Sequence, residues 1–194
     1  MNKSHRALLL VDIQPTFCEG GALAVDGGNE VARKVAEFAR TNRDNYAVIV
    51  STQDWHIDPG SHFSENPDFV DTWPPHGVAG TAEAELHPRI EELPDERVKK
   101  GHYSAAYSGF EGVSDDGRAL ADILAEHDIT ACDVVGLAQS HCVKDTALDA
   151  KSKFDEVRVF TDLTRPVSPE LGERAALIMR GAGIEQLESK DAWL

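Results

Sequence analysis

The run Ala7-Leu8-Leu9-Leu10-Val11 is apolar at every position and is closed by Asp12 and then by Pro15. A short unbroken run of this kind, bounded by a charge and a turn former, predicts a strand buried on both faces of a parallel sheet. Past Asn29, a side chain suited to an N-cap, the period changes. Val31, Val35, Phe38 and Ala39 recur at i, i+4, i+7 and i+8, the spacing of a helix with one face on that sheet. The two periods then alternate along the chain. Further strands are predicted at 46–51, 97–99, 133–137, 157–161 and 184–187, and helices around Leu120, Ile123 and Leu124 and around Val143, Ala147 and Ala150. A last helix takes Ser168 as N-cap and Pro169 at its first position, turns Leu171, Ala175 and Ile178 inward and stops at Gly181. Together these elements imply an α/β fold of three layers, α/β/α, around a central, mostly parallel, doubly wound sheet of about six strands.

The segment 54–96 departs from the pattern. It has little periodicity, and Pro59, Pro67, Pro74, Pro75, Pro88 and Pro94 exclude long helices and central strands. Loops this long inside a compact domain are usually functional or disordered. Trp55, Phe63, Phe69 and Trp73 provide apolar material for this one to bury, which favours an ordered insertion. With no internal repeat, residues 1–194 are expected to form one domain carrying an insertion at about 54–96.

Composition narrows the classes of function. A chain of 194 residues with 41% AVILMFWYC can bury a single sizeable core. Its 34 Asp+Glu against 19 Lys+Arg give a formal net charge of −15, and no basic run exceeds Lys99-Lys100. Nucleic-acid backbones and anionic membranes are therefore expected to be repelled rather than bound. The N-terminal apolar run is too short for a signal sequence or a membrane span, so the mature protein is expected to begin at its own first residues. Cys18, Cys132 and Cys142 form no CxxC pair and no disulfide framework, which fits a reducing cytoplasm. A homo-oligomer is compatible with the sequence.

In an open α/β sheet, ligands collect beyond the carboxyl ends of the strands. Asp12, Asp54-Trp55-His56, Lys100 and Cys142 all stand at such ends. Any one alone reads as a cap, a turn residue or a solvated charge; their convergence suggests a nucleophile, a base and an electrostatic partner. Read with Ser140 as N-cap, Cys142 falls near N2, where free N–H groups and a nearby Lys100 favour a thiolate, although a buried structural cysteine is the alternative. Cys132 and Cys18 fit that structural role. His141 is turned roughly 100° away from its helical neighbour and reads as a pocket or packing residue. Asp54, His56, His62 and His76 form a second cluster, one carboxylate with three imidazoles, suited to one divalent ion such as zinc, iron or manganese. Surface-loop histidines are the alternative, but His5, His87, His102 and His127 are scattered singly whereas these three gather beside an aspartate.

Taken together, Leu10-Val11-Asp12-Ile13-Gln14, the 17–25 segment, Asp54-Trp55-His56-Ile57-Asp58-Pro59-Gly60 with His62-Phe63, Trp73-Pro74-Pro75-His76, Lys100-Gly101, Tyr107-Ser108-Gly109-Phe110 and His141-Cys142-Val143 resemble the nicotinamidase/pyrazinamidase branch of the isochorismatase-like cysteine hydrolases over nearly the whole chain. The resemblance implies a catalytic triad of Asp12, Lys100 and Cys142, and a metal held by Asp54, His56 and His76 with His62 joining. It implies a cis peptide between Leu137 and Ala138 and an oxyanion hole from the N–H groups of Ala138 and Cys142. Phe17, Trp73 and Tyr107 would wall an aromatic pocket, with Leu137 and His141 beside it. The implied activity is hydrolysis of nicotinamide, and of pyrazinamide, in NAD salvage. Two other readings are weighed against it: a superfamily amidohydrolase for ureido or maleamate-type amides, and a metallohydrolase using hydroxide on the metal as nucleophile. A binding domain of flavodoxin-like fold is the non-enzymatic option. Gln14-Pro15-Thr16 and Gln139-Ser140 depart from the usual family residues and bear on pocket shape.

Overall fold

The computed structural model describes residues 5–194. Six strands, β1 (Arg6–Val11), β2 (Val48–Asp54), β3 (Glu96–Lys100), β4 (Ala131–Leu137), β5 (Glu156–Arg165) and β6 (Glu185–Leu187), form one sheet in the order β3-β2-β1-β4-β5-β6. Every pairing is parallel. β1 to β5 each run past an expected bound because backbone pairing continues after the apolar run stops, and β2, which starts two residues later than expected, carries Ser51-Thr52-Gln53-Asp54 in register with β3; β6 starts one residue later than expected.

Alternation along β1 builds the two cores. Leu8 and Leu10 face a layer containing α1 (Gly28–Thr41), where Val31, Val35, Phe38 and Ala39 are buried as their spacing predicts. Ala7, Leu9 and Val11 face α2 (Leu120–Glu126), α3 (Lys144–Lys151) and α4 (Pro169–Gly181). The result is the expected three-layer α/β/α arrangement. Among the described residues, no helix is long and apolar enough to cross a membrane.

Some local expectations are corrected. Gly27, not Asn29, is the N-cap of α1, and the Glu19 carboxylate accepts the N–H groups of Gly27 and Asn29, both at 2.8 Å. A carboxylate from the preceding loop thus does what a local cap would have done. On α4, Ser168 caps Leu171 as expected, but the buried face is Gly172, Ala175 and Met179, while Ile178 is 49% exposed. The helix is rotated because Gly172 lets its backbone approach Pro166 and Gln139 closely, where a Cβ would lie 2.8 Å from Pro166. Gly181 is the last helical residue, and the left-handed glycine that follows is Gly183, at φ +78°. Cys132 lies within β4 rather than before it.

From β1 the chain moves to β2 on one side and later returns as β4 on the other, so strand order reverses between β1 and β4. At that point Gly136 adopts φ +119°, and a Cβ there would lie 2.1 Å from the Val11 carbonyl oxygen. Only glycine lets the end of β4 pack this closely on β1, next to Asp12. Gly136→Ala should therefore lose about 3 kcal/mol or more of stability, measured as a lowered urea midpoint.

Candidate active site

Each strand end delivers one group. Directly after β1, Asp12 sits at φ +46°, a left-handed conformation that costs a non-glycine residue roughly 1 kcal/mol. Its carboxylate accepts the Thr52 hydroxyl at 2.5 Å. Lys100, the last residue of β3, is 1% exposed. Its ammonium contacts Asp12 Oδ2 at 2.9 Å and Asp54 Oδ1, donates to the Ala106 carbonyl at 3.0 Å, and lies 3.7 Å from Cys142 Sγ. Cys142 and Asp12 lie close enough to shift each other's protonation. Asp12, Lys100 and Cys142 therefore meet, and Asp54 joins them as a fourth member.

Burial pushes the Asp12 carboxyl up, with Asp54 adding and Lys100 opposing. Burial also pushes the Cys142 thiol well above its usual value; Lys100 opposes this, and Asp12 and Asp54 reinforce it. Against the penalty of burial, Asp12 and Asp54 hold Lys100 firmly charged. Lys100 thus favours the thiolate expected from the sequence, while burial, Asp12 and Asp54 work against it, and the sulfur lies beside a carboxylate able to take its proton. The reading of Ser140 as an N-cap is corrected. After the cis Leu137-Ala138 peptide, Ala138 occupies the cap position and Gln139–Val143 forms a wide π turn, with the Val143 N–H reaching the Ala138 carbonyl at 3.1 Å. Cys142 lies deeper in this turn than N2. Cys18 and Cys132 are buried free thiols outside this contact, Cys18 pushed up to about 12 by burial and by Glu19.

The 54–96 insertion folds back on itself. His56 pairs with the strip around Gly77–Ala79, and the Trp73 N–H donates to the His62 carbonyl at 2.9 Å. Trp73 is buried, but Phe69 is 57% exposed, and the insertion also buries Ala84, Leu86 and Ile90. The fold brings His56, His62 and His76 together with ligand atoms within 4.8 Å of one another. His56 Nδ1 donates to the Gly101 carbonyl at 2.6 Å and His76 Nδ1 to the Pro74 carbonyl at 2.8 Å. A neutral imidazole has one N–H, so each Nε2 then carries a bare lone pair. These lone pairs lie 3.4 and 3.5 Å from Asp54 Oδ2, acceptor facing acceptor. His56 Nε2 and His62 Nδ1 are buried without hydrogen-bond partners. Burial and the neighbouring His76 and His56 pull His62 down to about 4, which keeps it neutral. Converging lone pairs and a carboxylate fit a divalent cation, and the Gly101 and Pro74 carbonyls fix the tautomers that coordination needs.

A pocket opens over these groups. Phe17, Trp73, Tyr107, Ala138, His141 and Cys142 line it, with Asp54, His62 and His76 on its imidazole side. Leu137 does not: its side chain is buried in the core beside α1, because the chain turns toward the pocket only at Ala138. Leu23, Ala24, Val25, Ala106 and Val167 complete the walls and escaped sequence reasoning, since nothing in their chemistry separates them from core residues. Two supporting residues were also missed. Thr52 orients Asp12, and the buried Gln14 accepts the Asp54 N–H at 2.9 Å and donates to its carbonyl at 2.9 Å. The signal for Gln14 was its place two residues after Asp12.

The family profile described as the isochorismatase domain matches residues 6–191. The nicotinamidase/pyrazinamidase of Mycobacterium tuberculosis is 46% identical, the alignment covering 93% of this chain and 97% of that protein. The pyrazinamidase of Pyrococcus horikoshii in complex with zinc superposes with a TM-score of 0.81 at 36% identity, covering 95% of this chain and 99% of the other. The PnC1 protein of L. infantum in complex with nicotinate gives a TM-score of 0.83 at 29% identity, covering 98% and 96%.

Zinc titration monitored by calorimetry should show one site per chain. His56→Ala or His76→Ala should abolish it or weaken it by at least about tenfold, and His62→Ala should cost less.

Proposed function

The chain belongs to the isochorismatase family, and on that premise we propose that it hydrolyses nicotinamide to nicotinate and ammonia, and pyrazinamide likewise, through a thioester on Cys142. The observation that carries this reading is the contact of thiol, carboxylate and ammonium at the floor of an aromatic pocket whose other side is the imidazole cluster. Residues 5–194 then act as one hydrolase domain, with 54–96 as its metal-binding insertion.

In this scheme Asp12 takes the Cys142 proton as sulfur bonds to the carboxamide carbon, so the negative charge leaves the carboxylate for the carbonyl oxygen and no second anion builds up beside Lys100. The N–H groups of Ala138 and Cys142 receive the oxyanion. Asp12 returns the proton to the departing nitrogen, the carbon–nitrogen bond breaks, and ammonia leaves behind a thioester. Asp12 then deprotonates water, which adds to the thioester; the carbon–sulfur bond breaks, and the proton goes back to sulfur. Phe17, Trp73 and Tyr107 hold the ring and, with His141, limit the access of bulk water. A divalent ion held by Asp54, His56, His62 and His76 would supply Lewis acidity and an anchor for a ring nitrogen. The reaction is a step of NAD salvage, placed in the cytoplasm, where the three free cysteines would stay reduced.

Purified protein should release ammonia from nicotinamide. Cys142→Ala should retain far less than a tenth of that rate with metal content unchanged, and Asp12→Asn should be nearly as impaired because an amide cannot accept and return the proton. Retention of a tenth or more by Cys142→Ala would transfer the reaction to a hydroxide nucleophile. Benzamide, which has no ring nitrogen, should show a raised KM and a lowered kcat; kinetics matching those of nicotinamide would refute the pyridine-carboxamide assignment.

A further inference from the structure

One hydroxyl ties two walls of the pocket together. Ser140 lies within the Gln139–Val143 turn and is 5% exposed. Its Oγ accepts the Val167 N–H at 3.1 Å and lies 2.9 Å from His141 Nδ1. Both partners line the pocket. Val167 belongs to no helix or strand, precedes the Ser168 cap of α4 and is 46% exposed, so it forms the rim rather than the floor. His141 stands edge-on to Trp73 with ring centres 5.4 Å apart.

Burial and the nearby Lys144 lower the His141 pKa, so the ring is neutral near pH 7 and has a single N–H. Serine also has a single proton. With Oγ already accepting from Val167, the arrangement that uses every group has the Ser140 hydroxyl donating to Nδ1. The ring proton is then on Nε2, which has no hydrogen-bond partner among the described residues.

We propose that Ser140 is a positioning and specificity-determining residue. Its proton holds His141 as the Nε2–H tautomer, which offers a donor to an acceptor atom of the bound aryl carboxamide or its carboxylate product. Its lone pair holds Val167 at the rim, where the side chain limits what can stand on the ring. The identity of the ligand rests on the amide-hydrolase reading; the tautomer and the rim contact do not.

The test compares wild type with Ser140→Ala, Ser140→Asp and Ser140→Thr. It uses nitrogen-15 NMR of the His141 ring, assigned by its loss in His141→Gln, together with nicotinate affinity and kinetics on nicotinamide and ring-methylated nicotinamides. Wild type should show the Nε2–H signature. Ser140→Ala should mix the tautomers, weaken nicotinate binding and raise KM by about fivefold with a smaller change in kcat, and discriminate about threefold less against methylated rings. Ser140→Asp can accept from Val167 but has no proton to give, so it should move the ring proton to Nδ1 and weaken binding while keeping the discrimination. Ser140→Thr should restore both properties, which a folding defect alone would not produce. An unchanged tautomer and nicotinate affinity in Ser140→Ala would overturn the role assigned through His141, and undiminished discrimination would overturn the role assigned through Val167. Wild-type protein that releases no ammonia but shows the tautomer shift on substitution would overturn only the amide-hydrolase reading.

Discussion

The ammonium of Lys100 sets the geometry of the site. A charge with 1% exposure must be compensated where it lies, and here Asp12 and Asp54 compensate it from the ends of β1 and β2 while Lys100 itself ends β3. Removing one partner of such a buried set typically costs about 3–5 kcal/mol, so the three strand ends are held together electrostatically as well as by the ladder. Cys142 approaches from beyond β4 and meets the same ammonium. The sulfur therefore lies beside an ammonium already shared by two carboxylates, and burial with those carboxylates pushes its thiol up.

Asp54 carries this constraint into the insertion. One of its oxygens contacts Lys100 and the other faces His56 and His76. The Asp12–Lys100–Cys142 cluster and the imidazole cluster thus share a carboxylate, and the residues that fix its backbone serve both. Gln14 binds the Asp54 peptide from both sides, and Gly101 accepts from His56 at a position where a Cβ would lie 2.6 Å from the imidazole ring. These are short-range steric and hydrogen-bonding demands, but they join segments forty or more positions apart in the chain.

The opposite end of the sheet is closed by a second buried charge. Asp133, fully buried on β4, accepts from Arg158, Arg6 and Tyr46, each at 2.7 Å. Between the two polar ends, β1 and β4 are apolar on both faces. The hydrophobic middle drives collapse without choosing a register. The ionic ends penalise slipped registers, which would leave charges unpaired.

Local patterning was enough to identify the strand cores, the amphipathic face of α1 and the irregular insertion, because side-chain period and proline chemistry act over a few residues. It also picked out Asp12, Lys100, Cys142, Asp54, His56, His62 and His76, whose chemistry is conspicuous at strand ends and in one histidine-rich loop. It failed where distant packing decides. The face of α4 is set by a close approach at Gly172, the cap of α1 comes from Glu19, and Leu137 turns into the core. The apolar pocket walls Leu23, Ala24, Val25 and Val167 look like core residues until the chain brings them to one opening. The groups that push the Cys142 thiol up were not legible for the same reason: a sequence shows which charged groups exist, but burial and the sharing of Lys100 between two carboxylates exist only in three dimensions. The sequence by itself thus determined the kinds of element and the chemical groups available, and the tertiary structure decided their distances and dielectric surroundings, on which the ease of moving a proton depends.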